Sequence, residues 1–266
     1  MFNINSKNEV YRFDTVLITV SNDVNLYNRF FEENPFINLD NIKNVCFDNA
    51  NNRNTIPQWY NKFLNEYKYT IESWFIFCHN DWELKEDIRP ILAGLDKNCL
   101  YGPIGSKLDI YNNKVIPSLG HIGSITEQKR DGSNLREIGN AVDTQEMVDT
   151  FDCQAIIVHS SLVNKCHLRF DENLKWDLYV EDFCIMAGKK FDIKSYVIPI
   201  KCCHHSDASY KETPSSYYNA LAYLNQKYPN DIYQGTVSLI GGKNFEQASE
   251  KEVMLYQLRK KVKRGN

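Results

Sequence analysis

With 266 residues, 42% of them apolar and 13% aromatic, the chain can form one large α/β domain or two small ones, and is too rich in core-forming residues for long disorder or a fibrous repeat. A formal charge of -3 lacks the cationic footprint of nucleic-acid-binding proteins, so no nucleic-acid partner is expected and any cationic surface must be local. No stretch approaches a transmembrane span, Met1 to Phe13 lacks the apolar core of an export signal, and the eight cysteines include no CxxC pair, which together read as reduced thiols in a cytoplasmic protein.

Phe13 to Val20 is an apolar, β-branched run that stops at Ser21-Asn22-Asp23, the pattern of a buried strand ending in a polar loop or helix cap. Val24 to Glu33 fits a helix, and Ile42 to Phe47 a second strand that ends at Asp48 before an Asn-rich turn. Ile56 to Tyr67 has helical spacing, with Pro57 tolerated in the first turn. Trp74 to Cys78 is a third strand and runs directly into His79-Asn80-Asp81-Trp82-Glu83. Three strands separated by helical segments predict right-handed crossovers and a mainly parallel sheet, with the Ser21, Asp48 and Asp81 regions along its carboxyl edge, where ligands collect.

From Leu119 to Glu146 the sequence is polar, Gly-punctuated and without sustained period, which reads as an active-site loop or an insertion. Ala155 to Val158 is the next strand. Phe170-Asp171-Glu172 opens a turn before Trp176 to Met186, and Lys194 to Ile200 is a final strand running into Cys202-Cys203-His204-His205-Ser206. One domain over residues 1–213, followed by a helical extension over residues 214–266, is the simplest organisation. The extension carries Arg259, Lys260, Lys261, Lys263 and Arg264 behind the apolar Val253, Met254, Leu255, Tyr256 and Leu258, which reads as a solvated helix end, a cut before a further domain, or a contact with the inner face of a membrane.

Three clusters carry the candidate chemistry: His79-Asn80-Asp81, Glu181-Asp182 and His204-His205. A hard divalent cation that also grips phosphate oxygens needs few protein ligands, so Asp81 with one of the two histidines would suffice. The run Cys202 to His205 resembles a zinc cluster, but neighbouring strand positions face opposite sides and four consecutive residues can hardly bind one ion. Glu83, two residues beyond Asp81, reads as a first-turn acid favoured by a helix dipole, with shared ligation as the alternative.

The order of these clusters resembles that of a family 2-like glycosyltransferase. VDTFDCQAIIVHSSLVNKCHLRFDENLKWDLYVEDFCIMAGKKFDIKSYVIPIKCCHHS, from Val148 to Ser206, looks like the acceptor-side half of such a protein. WFIFCHNDWEL resembles the strand that ends in the metal-binding DxD motif, with His79 in place of the first carboxylate. FDTVLITVSND and NVCFDNANNRNTIPQWYN are similar to the nucleotide-binding strands. The resemblance covers Phe13 to Ser206 and implies a GT-A, Rossmann-like α/β fold and a nucleotide-sugar donor, UDP-linked by prior. It also implies a Mn2+ or Mg2+ cofactor, a saccharide or lipid-linked glycan acceptor, and inversion at the anomeric carbon.

By the same resemblance Ser21 and Asp48 would contact the nucleoside, Asn61 would lie in the helix before the metal strand, and Asp152 would border the donor sugar. Asp81 would bind the metal, with His204 or His205 completing its shell and His79 ligating or hydrogen-bonding. Asp182 would be the general base, positioned by Glu181. Trp176 would stack on an acceptor sugar beside Asp177. Two other readings of the same residues are a metal-dependent phosphoester or nucleotide hydrolase and a module that binds a nucleotide sugar without turnover; the hydrolase would need a compact acidic motif for a second ion, which the sequence lacks.

Overall fold

The computed structural model describes residues 11–67, 72–117, 120–206 and 214–264, with side chains as far as residue 259. Most of Met1 to Phe13, Leu119, and the side chains of Lys260, Lys261, Lys263 and Arg264 lie outside the described residues.

The first strand, β1 (Asp14–Ser21), is buried along nearly its whole length, as a run flanked on both faces must be. Asp23 caps the short α1 (Val24–Tyr27) by accepting the Asn25 and Leu26 amides, and a π turn over Asn28–Glu32 then buries Phe30 and Phe31. After β2 (Ile42–Asp48), α2 (Ile56–Glu66) starts in a reciprocal capping box between Thr55 and Gln58 and buries Tyr60, Phe63 and Leu64. Next come β3 (Ser73–His79), β4 (Trp82–Leu84), α3 (Arg89–Ala93), β5 (Leu100–Gly102), β6 (Gly105–Ser106), β7 (Asp109–Tyr111) and β8 (Lys114–Ile116).

The second half runs β9 (Gly123–Gln128), β10 (Arg136–Asn140), β11 (Glu146–Val148), β12 (Thr150–Phe151), β13 (Ala155–His159), α4 (Ser160–Cys166), α5 (Tyr179–Phe191), β14 (Ser195–Val197) and β15 (Cys202–His205). The chain closes with α6 (Ser215–Lys227), the hairpin β16 (Ile232–Gln234) and β17 (Leu239–Gly241), and α7 (Glu250–Arg264).

Seven strands form the main sheet in the order β11-β14-β5-β13-β3-β1-β2, and four form a second sheet in the order β10-β9-β15-β4. Strand β1 is parallel to β2 and β3, with Ser21 opposite Asp48 and Val20 opposite His79, so the three carboxyl ends do share one edge. The main sheet is mostly parallel, as expected, and mixed in detail: β13 runs antiparallel to both β3 and β5, and β11 antiparallel to β14, while the other strands share one direction. A continuous apolar run such as Ala155 to Val158 is buried on both faces in either direction, so the sequence carries no signal of its orientation.

Three expectations change. Residues 119–146 are not irregular throughout: β9 and β10 pair as an antiparallel hairpin, and β9 alternates buried and half-buried positions. Gly123 turns at φ 83°, where a Cβ would sit 2.2 Å from the Pro103 carbonyl oxygen, so this entry into β9 requires glycine. Glu83 lies on strand β4 and not in a helix turn. The expected strand from Lys194 to Ile200 shortens to β14 (Ser195–Val197) in the main sheet, and the run that follows it, Cys202–His205, is a separate strand, β15, in the second.

Side chains from the two faces of the main sheet feed two cores. Val16, Ile18, Phe75 and Phe77 pack with α2 and α5, while Leu17, Trp74 and Ile76 pack with Phe30, Phe31, Trp82 and Leu84. Residues beyond 213 join the first core through Tyr217, Leu224, Tyr228 and Ile240, and the Thr150 hydroxyl donates to the Gln234 carbonyl at 2.7 Å. The C-terminal segment is thus a hairpin as well as helices, and its packing is continuous with the sheet.

Leu224 is fully buried in this shared core. Leu224→Ala should therefore destabilise the whole protein by roughly 2–5 kcal/mol in urea melts followed by tryptophan fluorescence. An unmoved main transition, with only a minor separate phase, would mean that the segment folds apart from the sheet.

Candidate metal and nucleotide site

Strand β3 delivers His79 to its carboxyl end and the chain turns at once through Asn80 and Asp81 into β4. Asn80 donates to the Ser21 hydroxyl at 3.0 Å, which ties the turn to β1. The His205 amide donates to the Asp81 carbonyl at 2.8 Å, which brings β15 alongside. Side chains alternate along β15, so His204 turns towards Asp81 and His205 away from it. The His204 Nε2 lies 3.4 Å from Asp81 Oδ1, His79 Nδ1 lies 4.0 Å from the same oxygen, and the ligand atoms of the three residues lie within 4.8 Å of one another.

The hydrogen bonds around His79 define its tautomer. Tyr179 sits at the start of α5, with its hydroxyl 2.8 Å from His79 Nε2 and 3.1 Å from the Cys153 carbonyl. A carbonyl only accepts, so the tyrosine proton goes to Cys153 and His79 Nε2 must be the donor in the other contact. That leaves the lone pair on Nδ1, pointed at a carboxylate that is itself an acceptor. Burial holds His79 below its ordinary pKa, in keeping with a neutral ring.

The remaining electrostatics also favour a cation. Burial works to raise the Asp81 pKa, but His204, His79 and Arg130 outweigh it and hold the carboxyl well below the usual range. Burial likewise works to lower His204, and the Asp81 charge and hydrogen bond outweigh it and raise the imidazole. A proton on His204 thus takes the position that a divalent ion would hold. One carboxylate oxygen and two imidazole nitrogens, with Tyr179 fixing one ring from behind, fit a divalent metal and leave coordination positions for phosphate oxygens and water.

Beside the triad lies an open cleft of about 590 Å³ over the carboxyl ends of β1 and β2, lined among others by Asn22, Asn49, Asn52, Arg130 and Trp176. Arg130, in the β9–β10 hairpin, bonds Asp81 Oδ2 at 2.9 Å. Trp176 presents 40% of its surface at the mouth of the cleft, and Asp177 is half-buried next to it.

Several expected residues sit elsewhere. Ser21 is buried and occupied by Asn80 and Asp23, and Asp48 is exposed and accepts the Ala50 amide; Asn22 and Asn52 line the cleft near them, while Asn49 is buried with its amide bonded to Asn54 and Trp59. The Asn61 amide is fully engaged: it accepts from the Phe170 amide and donates to the Phe170 carbonyl and Glu172, which makes it a clamp on the 170–172 turn. His205 is outside the triad, with Nε2 2.7 Å from Glu83 and its ring stacked on Phe30 at 4.1 Å. Asp182 is turned to α6, accepting from Tyr228 at 2.7 Å and pairing with Lys227 at 2.8 Å, an engagement that argues against its release as a base.

Glu181 faces the other way. The Thr236 hydroxyl lies 3.4 Å from both Glu181 Oε1 and Asp152 Oδ2, and the Cys153 thiol donates to Glu181 Oε2 at 3.0 Å. Burial first, and the nearby Asp152 charge, push the Glu181 pKa up to about 8. One hydroxyl proton cannot serve two carboxylates, so a protonated Glu181 donating to Thr236, which in turn donates to Asp152, satisfies all three groups. Asp152 also acts electrostatically on His79 and His204, which places this carboxyl pair on the flank of the triad.

Arg130, Tyr179 and Thr236 were not singled out by the sequence. Arg130 stands in a segment without periodic pattern, and the other two became functional candidates only through partners brought close by folding.

No protein-family model matches the sequence, and neither does any curated protein. Among solved structures, the fold is similar to the crystal structure of GalNAc-T7 with UDP, GalNAc and Mn2+, at a TM-score of 0.47 and 10% identity over 82% of this chain and 48% of that one. This chain therefore matches about half the length of that protein. It is also similar to A197 from STIV, at a TM-score of 0.41 and 11% identity over 90% of this chain and 98% of that one.

A carboxyl whose folded pKa is raised weakens the fold as pH climbs, because the unfolded chain ionises first. For Glu181 the loss begins near its ordinary value of 4.5 and is complete above about 8. Glu181→Gln should therefore be close to neutral for stability at pH 4.5 and stabilising at pH 8, by up to about 1.4 kcal/mol per unit of pKa displacement. Thermal melts across that range test this, and a variant that gains nothing at pH 8 would show that Glu181 is ionised in the fold.

Proposed function

We propose that the protein is a divalent-metal-dependent glycosyltransferase that moves a sugar from a nucleoside diphosphate to a hydroxyl of a glycan acceptor. The observation that carries this reading is the His79–Asp81–His204 triad at the carboxyl end of β3, opening onto the cleft over β1 and β2. The sequence resemblance to family 2-like glycosyltransferases agrees with it and supplies the donor class, with UDP as the first choice.

His79, Asp81 and His204 would hold Mn2+ or Mg2+, whose charge stabilises the diphosphate leaving group. Arg130 adds a fixed positive charge beside Asp81. Asn22 and Asn52 offer amides to the base and ribose, in place of Ser21 and Asp48. Trp176, exposed at the cleft mouth beside Asp177, offers a stacking face to a sugar ring. An acceptor hydroxyl needs a group to take its proton. We assign this to Asp152, with Glu181 and Thr236 as the proton-holding partners behind it, and not to Asp182. Attack from the face opposite the leaving group gives inversion, which the anomeric form of the product reads directly.

The first test is thermal shift with UDP, GDP, CDP and TDP, with and without Mn2+. A metal-dependent rise with one nucleotide is expected. It should be lost in Asp81→Asn, and in Tyr179→Phe the Mn2+ requirement should rise roughly 10–100-fold, because the His79 tautomer is no longer fixed. No metal-dependent shift with any nucleotide would overturn the donor site. Nucleoside diphosphate released by water alone would point to the hydrolase, and tight binding with no release to a non-catalytic module.

We further propose that the acceptor is lipid-linked and met at an anionic bilayer. Helix α7 rests on β7 and β8 through Tyr256 against Tyr111, Glu252 paired with Lys114, and Arg259 bonded to Tyr111. Met254, Leu255 and Leu258 stay exposed at 59%, 41% and 53%, immediately before the cationic residues of the tail. No helix among the described residues is long and apolar enough to cross a membrane. Co-sedimentation should show binding to vesicles containing phosphatidylserine, weakened by salt and by Leu258→Ser, and none to phosphatidylcholine alone. Equal binding to both vesicles, or to neither, would remove the membrane from the proposal.

A further inference from the structure

The alternation that turns His204 towards Asp81 gathers a second set of ligands on the opposite face of the same strand. Cys203 and His205 are two residues apart on β15, and Glu83 is the register partner of Cys203 on the adjacent, antiparallel β4. All three therefore share one face of the second sheet. Their ligand atoms lie within 4.8 Å of one another.

The surroundings are those of a built site. Cys203 and His205 are each 2% exposed, while the Glu83 side chain, at 20%, reaches the surface and leaves an entry path. The His205 ring is fixed by stacking on Phe30 and by the 2.7 Å contact to Glu83, and its Nδ1 is buried without a hydrogen-bond partner. Lys85 holds the other Glu83 oxygen at 2.7 Å, so the carboxylate is oriented from outside.

We propose that Glu83, Cys203 and His205 form a second metal site, separate from the triad and selective for a thiolate-accepting divalent cation such as Zn2+. One sulfur, one nitrogen and one oxygen donor, with water as the fourth, suit tetrahedral zinc, whereas the triad has no sulfur and suits a harder ion. On binding, the Cys203 thiol releases its proton to solvent and His205 coordinates as neutral imidazole. Thiolate and carboxylate then cancel the two positive charges, so the buried site is neutral. The ion would staple β4, which follows Asp81, to β15, which carries His204, and its presence does not depend on the triad binding a nucleotide.

Cobalt distinguishes the two sites, because only a thiolate ligand gives Co2+ an intense near-ultraviolet charge-transfer band. Chelator-treated full-length protein titrated with Co2+ should develop this band at one equivalent and lose it on addition of Zn2+. The band should persist in Asp81→Asn and vanish in Cys203→Ser. Should the serine variant fold poorly, Glu83→Gln, at the solvent edge, should keep the far-ultraviolet circular dichroism and lower Co2+ affinity roughly tenfold or more, at least the cost of losing a supporting group. No band in the wild type, a band that survives Cys203→Ser, or unchanged affinity in Glu83→Gln would overturn the proposal. A band that fails while the Mn2+-dependent nucleotide shift remains would leave the transferase reading intact.

Discussion

A backbone hydrogen bond from the His205 amide to the Asp81 carbonyl at 2.8 Å, continuing the pairing of β15 with β4, sets which side chains meet at the end of β3. It lies where the chain leaves the main sheet after β3 and enters the second sheet at β4. With β15 held against that turn, the alternation of strand side chains does the rest: His204 reaches Asp81, while Cys203 and His205 reach Glu83. The turn is itself braced from β1 by the Asn80–Ser21 bond and from the hairpin by Arg130. Pieces of chain more than a hundred residues apart thus converge on one carboxylate.

The parts of the fold legible in the sequence are those where local pattern and final burial agree. Strands β1 and β3 are unbroken apolar runs, and α2 announces its start with Thr55, Pro57 and Gln58, so their existence and approximate limits follow from composition alone. The direction of β13 does not, because burial on both faces erases any directional signature. The β9–β10 hairpin was missed for the opposite reason: its strands are short, polar on one side and entered through a glycine, so they resemble a loop until pairing shows otherwise.

The site divides along the same line. Asp81 and the histidine pair stand out in the sequence by their order and spacing, and which histidine turns towards Asp81 is a matter of strand parity that only the register sets. Asn61, Ser21 and Asp182 were plausible by position, yet each is consumed by internal bonds that join distant segments: Asn61 to Phe170, Ser21 to Asn80, and Asp182 to Lys227. Asp152 and Glu181 are linked through the hydroxyl of Thr236, which the chain supplies from a hairpin beyond α6.

The two neighbouring histidines have a consequence for how this sequence can vary. His204 and His205 are the same amino acid on adjacent residues, but strand parity gives them non-overlapping environments, one against Asp81 and the other under Phe30. Neither can act as a spare for the other. Gain or loss of one residue within β15 would exchange the two faces wholesale, sending a thiol towards the hard carboxylate and an imidazole into the sulfur site. The four-letter run CCHH therefore behaves as a phase-locked message: substitutions alter it one face at a time, whereas a single frame slip rewrites both.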